Sequence, residues 1–240
     1  MKYYIENLCV EVTRKCNMKC AHCLRGDAQN MDINTCYIDT LLENVSGIGS
    51  ITFTGGEPSL NIQAIEYMLE KCQQMNIPVC SFYIVTNGKE NALPLAIACL
   101  KWYAYCEDDE EMCGLALSRD KFHDKVGYNN ESILRGLKFF REDKFTDFNK
   151  VYVINEGRGM DLVGYNKIWA DERHESFHYE ERDDEIYIES LIYLSANGEI
   201  RTDCDIAYTN TEYTIGNLNK DSFHSVIQMQ IAEEMEVLPF

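Results

Sequence analysis

The chain has 240 residues, 45% of them hydrophobic, and a formal net charge of −18. This length suffices for one large hydrophobic core, so we expect a single main domain. The acidic charge disfavours nucleic acid as a partner, because phosphate binding depends largely on Lys and Arg side chains.

The N-terminal stretch MKYYIENLCVEV lacks the charged and apolar pattern of an export signal. The sequence also contains no apolar run of about 18 residues, so we expect no membrane partner. Eleven cysteines without an export signal fit free thiols or metal thiolates better than disulfides. We therefore expect a cytoplasmic protein.

The first third of the chain predicts two strand–loop–helix units. An apolar, β-branched strand leads directly into the cysteine run RKCNMKCAHCLRG at residues 14–26. Asp32 is predicted to cap the helix that follows. The predicted elements are a strand at 3–13, a helix within DINTCYIDTLLENV, a strand at 50–54, a turn at Gly55 and Gly56, and a helix at 61–75.

The middle of the chain continues the alternation. Further strands are predicted at 79–86, 112–118 and 150–154, with helices near 91–104 and 131–143. Strands that alternate with helices of this length predict a parallel sheet joined by right-handed crossovers.

The C-terminal part does not continue this alternation of strands and helices. The charged run at residues 171–185 is predicted to be a solvated helix or loop. IYIESLIYLSANGEIRTD then predicts two strands joined through Asn197-Gly198, which is a strong hairpin signal. A last helix is predicted at 221–236. We therefore divide the chain into a core at 1–185 and an extension at 186–240.

Unusual motifs follow four successive predicted strands. The cysteines follow the first strand, TGGEP the second, TNG the third and SRD the fourth. In parallel α/β folds the C-terminal ends of the strands carry the reactive groups. We therefore expect these motifs to form one site.

Cys16, Cys20 and Cys23 could be a zinc site, a redox dithiol or iron-sulfur ligands. Structural zinc usually takes four protein ligands in two separated pairs, and a redox CxxC motif needs only two thiols. Three close thiolates suit three corners of a cubane cluster whose fourth iron stays open.

CNMKCAHC after the first strand, together with TGGEP after the second, resembles the radical S-adenosylmethionine (SAM) superfamily. The resemblance implies a partial (β/α)6 parallel barrel, open on one side, with a small C-terminal hairpin-and-helix extension. It also implies that Cys16, Cys20 and Cys23 hold one [4Fe-4S] cluster. SAM would bind the fourth iron and be cleaved to methionine and a 5′-deoxyadenosyl radical.

The same resemblance suggests the residues that contact SAM. The two glycines of TGGEP lack a Cβ and so permit close approach to the methionine moiety. Arg158 could pair with a carboxylate of SAM or of a substrate, and Arg135 is a weaker alternative. No clear GxIxGxxE segment is present, which leaves the adenine contacts unassigned. The proposed SAM contacts are Gly55, Gly56, Glu57, Thr86, Asn87, Ser118, Asp120 and Arg158.

The C-terminal stretch NGEIRTDCDIAYTNTEYTIGNL resembles the start of a SPASM or twitch extension, in which cysteines hold further clusters. It contains a single cysteine, Cys204. We therefore predict one cluster, with Cys99, Cys106 and Cys113 as a less favoured second set.

The resulting functional prediction is an oxidoreductase that abstracts hydrogen from a peptide or protein. The alternative within the superfamily is a small metabolite or nucleotide substrate. An alternative of another class is a non-catalytic iron-sulfur module that senses redox state or docks a partner. A reductant such as flavodoxin or ferredoxin is the implied electron donor.

Overall fold

The structure is a computed structural model that describes residues 1–106, 112–123, 126–142, 152–168 and 177–237. It contains twelve β-strands and five α-helices within these residues. The strands are β1 (Lys2–Thr13), β2 (Val45–Gly55), β3 (Val79–Thr86), β4 (Gly114–Leu117), β5 (Phe140–Arg141), β6 (Tyr152–Ile154), β7 (Asn166–Ile168), β8 (Tyr179–Arg182), β9 (Glu185–Ile188), β10 (Ile192–Leu194), β11 (Glu199–Arg201) and β12 (Thr214–Asn217). The α-helices are α1 (Thr35–Leu42), α2 (Ile62–Met75), α3 (Ala92–Tyr105), α4 (Tyr128–Arg135) and α5 (Phe223–Val237).

Ten of the strands form one sheet. Eight of them follow the order β12-β11-β10-β1-β2-β3-β4-β5, and the other two, β8 and β9, join it where β9 pairs with β1. β1 to β5 are parallel neighbours, and both β9 and β10 pair parallel to β1 along successive parts of its length. β6 and β7 form a separate two-stranded parallel sheet. The predicted mixed α/β fold with a parallel sheet is confirmed. The arrangement of six βα units as a partial barrel stays a prediction.

β1 is the central strand of the sheet: β2 pairs with one of its edges, and β9 and β10 pair with the other. Leu8 lies opposite Ile51 of β2 and Ile192 of β10, and all three side chains are buried. Residues buried on both faces of a strand are typical of a parallel sheet covered by helices. The core continues into the helical layer, where Phe53 packs against Trp102 of α3 at 5.2 Å between ring centroids.

Two predicted boundaries are wrong. α1 begins after Asn34, whose side chain accepts a hydrogen bond from the Cys36 N–H, so Asp32 is not its cap. The Asp32 side chain instead accepts a hydrogen bond from the Thr13 hydroxyl at 2.7 Å, and the two residues also form an isolated β-bridge. α4 begins at Tyr128 and ends at Arg135, because Phe140 already belongs to β5.

The C-terminal residues form strands that belong to the main sheet. β10 and β11 form the predicted antiparallel hairpin, with Gly198 at a φ of 85°. The prediction of a helix or loop for the charged run is wrong for Tyr179–Arg182, which form β8 because they pair with β9. Residues 171–176 of the run lie outside the described residues. The predicted boundary at residue 185 falls on the first residue of β9, and the division into two domains stays a prediction.

None of the helices within the described ranges combines the length and the apolar character that crossing a membrane requires.

Candidate functional site

A cavity of about 510 Å³ opens at the C-terminal ends of β1 to β4. It is lined by ten of the eleven residues that the sequence suggested. These are Cys16, Cys20, Cys23, Gly55, Gly56, Glu57, Asn87, Ser118, Asp120 and Arg158. The eleventh, Thr86, is buried, and its hydroxyl donates a hydrogen bond to Glu57 at 2.6 Å. The four motif loops therefore share one site.

The cysteine loop is held by its own backbone and by Arg158. The Arg158 Nε donates to the Cys20 carbonyl at 2.9 Å, and the Arg158 N–H donates to the Cys23 carbonyl at 3.0 Å. The three thiols are partly exposed. Burial raises the pKa of the Cys16 thiol, while the Met18 N–H that donates to it at 3.4 Å acts in the opposite direction.

The glycines of TGGEP let two loops approach each other. A Cβ at Gly55, whose φ is +148°, would lie 2.1 Å from the Thr13 carbonyl oxygen, and one at Gly56 would lie 2.3 Å from that of Lys15. Glu57 then donates its N–H to the Lys15 carbonyl at 2.8 Å. Glycine is therefore required at Gly55 and Gly56, where the loop after β2 contacts the cysteine loop.

Glu57 connects the loop after β2 to the loop after β3 through hydrogen bonds. Its side chain is 2% exposed and accepts from the Ser59 N–H at 3.0 Å, the Thr86 hydroxyl at 2.6 Å and the Asn87 N–H at 2.8 Å. The Asn87 amide in turn donates to Asn17 in the cysteine loop at 2.8 Å. The buried Nδ2 of Asn17 has no hydrogen-bond partner within the described residues.

Asp120 lies in a polar cluster with two histidines beside Cys20. It pairs with His123 Nδ1 at 2.8 Å and with His22 Nε2 at 3.3 Å. Burial raises the pKa of Asp120, but the hydrogen bond and charge of His123, the hydrogen bond from the Phe122 N–H and the charge of His22 together outweigh this effect, and the net shift is downward. Burial lowers the pKa of His123, but hydrogen bonds with Asp120 and Cys20 raise it to about 9.

One ligand atom from each of His22, Asp120 and His123 lies within 4.8 Å of the others. Among the described residues, these three side chains form the group that is compact enough to bind a single metal ion together. It belongs to the same cavity as the three cysteines.

The two candidate arginines differ in position. Arg158 lines the cavity, and its Nη1 also pairs with Asp27 at 2.7 Å. Arg135 pairs with Glu131 at 2.8 Å and also contacts Glu142, and it does not line the cavity. A carboxylate partner for Arg158 stays a prediction.

The C-terminal extension supplies a wall of the cavity that the sequence motifs did not indicate. Cys204, Asp205 and Tyr208 line it together with Arg25 and Cys9. The Tyr208 N–H donates to the Arg25 carbonyl at 3.2 Å, and Arg25 Nη1 donates to the Ile206 carbonyl at 2.8 Å. Alternation along β1 could have placed Cys9 near the site, but the docking of residues 204–208 is a long-range contact without a local sequence signal.

The cysteines suggested as a second ligand set lie elsewhere. Cys99 is buried within α3, and burial raises its pKa to about 12. The Cys106 and Cys113 thiols lie close enough to shift each other's pKa, but they do not line the cavity. A second cluster on these residues stays untested.

The residues present fit an iron-sulfur cluster. Three partly exposed thiols face one cavity, and thiolates are the ligands that iron-sulfur clusters prefer. Asn17 and His22 each have a buried nitrogen without a hydrogen-bond partner, Nδ2 and Nδ1 respectively, within the described ranges. Both residues lie between the cysteines, where hydrogen bonds to sulfur tune a cluster.

Comparison with known proteins supports the cluster assignment. A family model described as a 4Fe-4S single cluster domain matches residues 8–92. An uncharacterised protein of Methanocaldococcus jannaschii is 39% identical over 90 residues, covering 35% of this chain and 31% of that protein. The protein YfkA of Bacillus subtilis is 39% identical over 70 residues, covering 27% of this chain and 19% of that protein. The matches thus span less than a third of these curated relatives.

Solved structures share the fold along most of the chain. Native anSMEcpe with bound AdoMet and Kp18Cys peptide aligns with a TM-score of 0.56 and 12% identity, over 96% of this chain and 82% of that chain. The resemblance to radical SAM enzymes is confirmed at the level of the fold. A second structure, native anSMEcpe with bound AdoMet and Cp18Cys peptide, gives a TM-score of 0.52 and 14% identity, over 95% and 82% of the two chains.

Proposed function

We propose that this chain is a radical SAM enzyme in which Cys16, Cys20 and Cys23 hold one [4Fe-4S] cluster. The observation that carries the proposal is the convergence of the three thiols and the GGEP loop on one cavity of about 510 Å³. The match of residues 8–92 to a 4Fe-4S single cluster domain supports it. When bound, the cluster and SAM would supply reductive sulfonium cleavage and hence a 5′-deoxyadenosyl radical.

The chain's own residues would hold and orient these groups. Arg158 fixes the carbonyls of Cys20 and Cys23, which sets the spacing of two thiols. A carboxylate offers about four acceptor sites, and Glu57 uses three of them on protein donors. The remaining acceptor capacity of Glu57 suits the ammonium group of SAM.

We assign the other SAM contacts to the side chains that line the same wall of the cavity. Asn87, Ser118 and Asp120 follow β3 and β4 and would contact the ribose and methionine parts. Thr86 acts through Glu57, to which its hydroxyl donates at 2.6 Å, and is therefore a positioning residue. Gly55 and Gly56 would leave space for the methionine moiety as well as for the cysteine loop.

The substrate that we propose is a peptide or protein. Two structures with the same fold contain a peptide as well as AdoMet. A small metabolite or nucleotide remains the alternative, and a flavodoxin or ferredoxin is the proposed electron donor.

Anaerobic reconstitution tests the cluster and the cleavage together. We expect about four irons per chain and formation of 5′-deoxyadenosine after addition of SAM and dithionite. Both should be lost in a Cys16→Ala, Cys20→Ala, Cys23→Ala triple variant. Cys36→Ser is the matched control, because Cys36 is exposed and lies outside the cavity.

The outcomes separate the hypotheses. If the protein binds iron but forms no more 5′-deoxyadenosine than the triple variant, the enzyme hypothesis fails. Only the hypothesis of a non-catalytic cluster module would then remain. A content near eight irons per chain would contradict the single cluster. For the substrate class, deuterium transfer from a labelled peptide into 5′-deoxyadenosine is the expected result, and transfer only from small metabolites would contradict it.

A further inference from the structure

The cavity contains a second set of thiols besides the three cysteines of the loop. Cys9 in β1 and Cys204 after β11 both line it, and the two thiols lie close enough for each to shift the pKa of the other. Cys9 is 3% exposed and Cys204 is partly exposed. The pair thus combines one accessible sulfur with one that is shielded behind it.

Several contacts bring the two thiols together. Cys9 lies opposite Thr52 of β2 and Tyr193 of β10 in the sheet register, which fixes its position. The segment 204–208, which follows β11, docks on the cysteine loop through the hydrogen bonds between Arg25 and Ile206 and between Tyr208 and Arg25. The thiol contact is therefore held by the sheet on one side and by a docked segment on the other.

The two sulfurs are chemically unequal. The interaction with Cys9 lowers the pKa of Cys204 and Arg25 reinforces this shift, whereas burial and the carboxylates of Asp205 and Asp203 oppose it. The interaction with Cys204 and burial both raise the pKa of Cys9. Because Cys204 is partly exposed and Cys9 is only 3% exposed, an external disulfide reaches Cys204 first, so Cys204 is the attacking sulfur.

We propose that Cys204 and Cys9 form a thiol–disulfide exchange site in the wall of the cavity, with Cys204 as the attacking and Cys9 as the resolving cysteine. The oxidant is a low-molecular-weight disulfide. The Cys204 thiolate attacks one sulfur of the disulfide, forms a mixed disulfide and releases one thiolate. Cys9 then loses its proton, attacks the Cys204 sulfur and releases the second thiol. Two protein thiols are oxidised and one external disulfide is reduced to two thiols.

The product would change the cavity itself. A Cys9–Cys204 disulfide ties β1 covalently to the segment 204–208 and removes both S–H groups from the lining. Whether Cys9 and Cys204 are oxidised or reduced then depends on the thiol redox potential of the surroundings. This chemistry does not depend on the proposed radical reaction, because none of the three loop cysteines takes part in it.

Glutathione disulfide is the probe. We would treat the anaerobically reconstituted protein with it and map the cysteines by peptide mass spectrometry. The expected result is a Cys9–Cys204 cross-link with the loss of two hydrogen masses. Cys9→Ser should stop at one glutathionyl group on Cys204, and Cys204→Ser should give neither product.

Two controls are built into the chain. Cys36 is exposed and should acquire glutathione in every sample, which reports that the reagent is active. Cys106→Ser removes one member of a second pair of neighbouring thiols, Cys106 and Cys113, outside the cavity, and should leave the Cys9–Cys204 cross-link unchanged.

Modified Cys36 without a Cys9–Cys204 cross-link would overturn the proposal, as would a cross-link from Cys204 to a loop cysteine. Repeating the treatment in the Cys16→Ala, Cys20→Ala, Cys23→Ala variant tests the exchange without a cluster. A failure of the radical SAM hypothesis is thereby distinguished from a failure of this one.

Discussion

At the scale of single residues, the site depends on positions where a side chain is excluded. Gly56 lies where a Cβ would approach the carbonyl oxygens of Lys15 at 2.3 Å and Arg14 at 2.9 Å. These are backbone atoms, which cannot move aside as the end of a flexible side chain can. The spacing between the GGEP loop and the cysteine loop therefore requires glycine.

We predict that Gly56→Ala forces the two loops apart. Overpacking of this kind costs about 1–3 kcal/mol, and the cysteine loop would retain less iron after reconstitution. Iron content and the free energy of unfolding measure both effects. The matched control is Gly127→Ala, where a Cβ would meet no atom within 4 Å and the φ of −62° suits alanine. Equal iron retention in both variants would contradict the explanation.

At the scale of secondary-structure elements, a buried ionic network joins β1 to the C-terminal strands. Arg14 and Glu11 pair at 2.5 Å with exposures of 4% and 1%. Arg14 also donates to the Ser195 hydroxyl at 2.6 Å, and Glu11 accepts from the Ala196 N–H at 3.1 Å and from the Tyr193 hydroxyl. The end of β1, where the cysteine loop begins, is thus fastened to the residues around β10.

We predict that Glu11→Gln and Arg14→Met each lower the free energy of unfolding by about 3–5 kcal/mol, because each leaves a buried charge without its partner. The double variant should lose clearly less than the sum of the two changes. Anaerobic urea unfolding in the Cys16→Ala, Cys20→Ala, Cys23→Ala background measures this without interference from bound metal.

The exposed pair of Lys101 and Glu66 is the control for this cycle. Its side chains are 54% and 40% exposed, and it joins two helices at 2.6 Å. Exposed ion pairs contribute about 0–1 kcal/mol, so Lys101→Met should change stability little. Strictly additive effects of the Glu11 and Arg14 substitutions would show that the two residues act independently.

At the scale of the whole molecule, the C-terminal residues complete the sheet around β1. β9 and β10 occupy the edge of β1 that β2 does not cover, and Ile188, Ile192 and Leu194 are fully buried there. Without them, β1 would present an apolar edge with unpaired backbone groups, which favours aggregation. The extension therefore has a structural role as well as lining the cavity.

We predict that a chain truncated to residues 1–185 does not fold to a stable monomer, because the central strand loses its neighbours on one side. Circular dichroism and light scattering would report the loss of structure and the aggregation. Co-expression with residues 186–240 should restore a soluble complex. A folded, monomeric 1–185 fragment would instead favour the two-domain division that the sequence suggested.

Much of the architecture was predictable because it depends on local patterns. The alternation of apolar strands with amphipathic helices predicted the parallel sheet, and Asn197-Gly198 predicted the hairpin. Short-range competition caused the errors. Both Asp32 and Asn34 are good helix caps, but the Asp32 side chain is engaged by Thr13 and Lys15, and Asn34 caps α1.

The sequence by itself predicted thiolate chemistry for the cysteine loop, because the spacing of Cys16, Cys20 and Cys23 is a local property. The need for glycine at Gly55 and Gly56 depends on their close approach to Thr13 and Lys15, which is a tertiary contact. Only the tertiary structure decided what faces these residues. Cys9 and Cys204 are 195 positions apart in the chain, and they meet because β10 pairs with β1 and residues 204–208 dock on Arg25. Contacts between distant segments depend on sheet register and docking, and neither has a local sequence pattern.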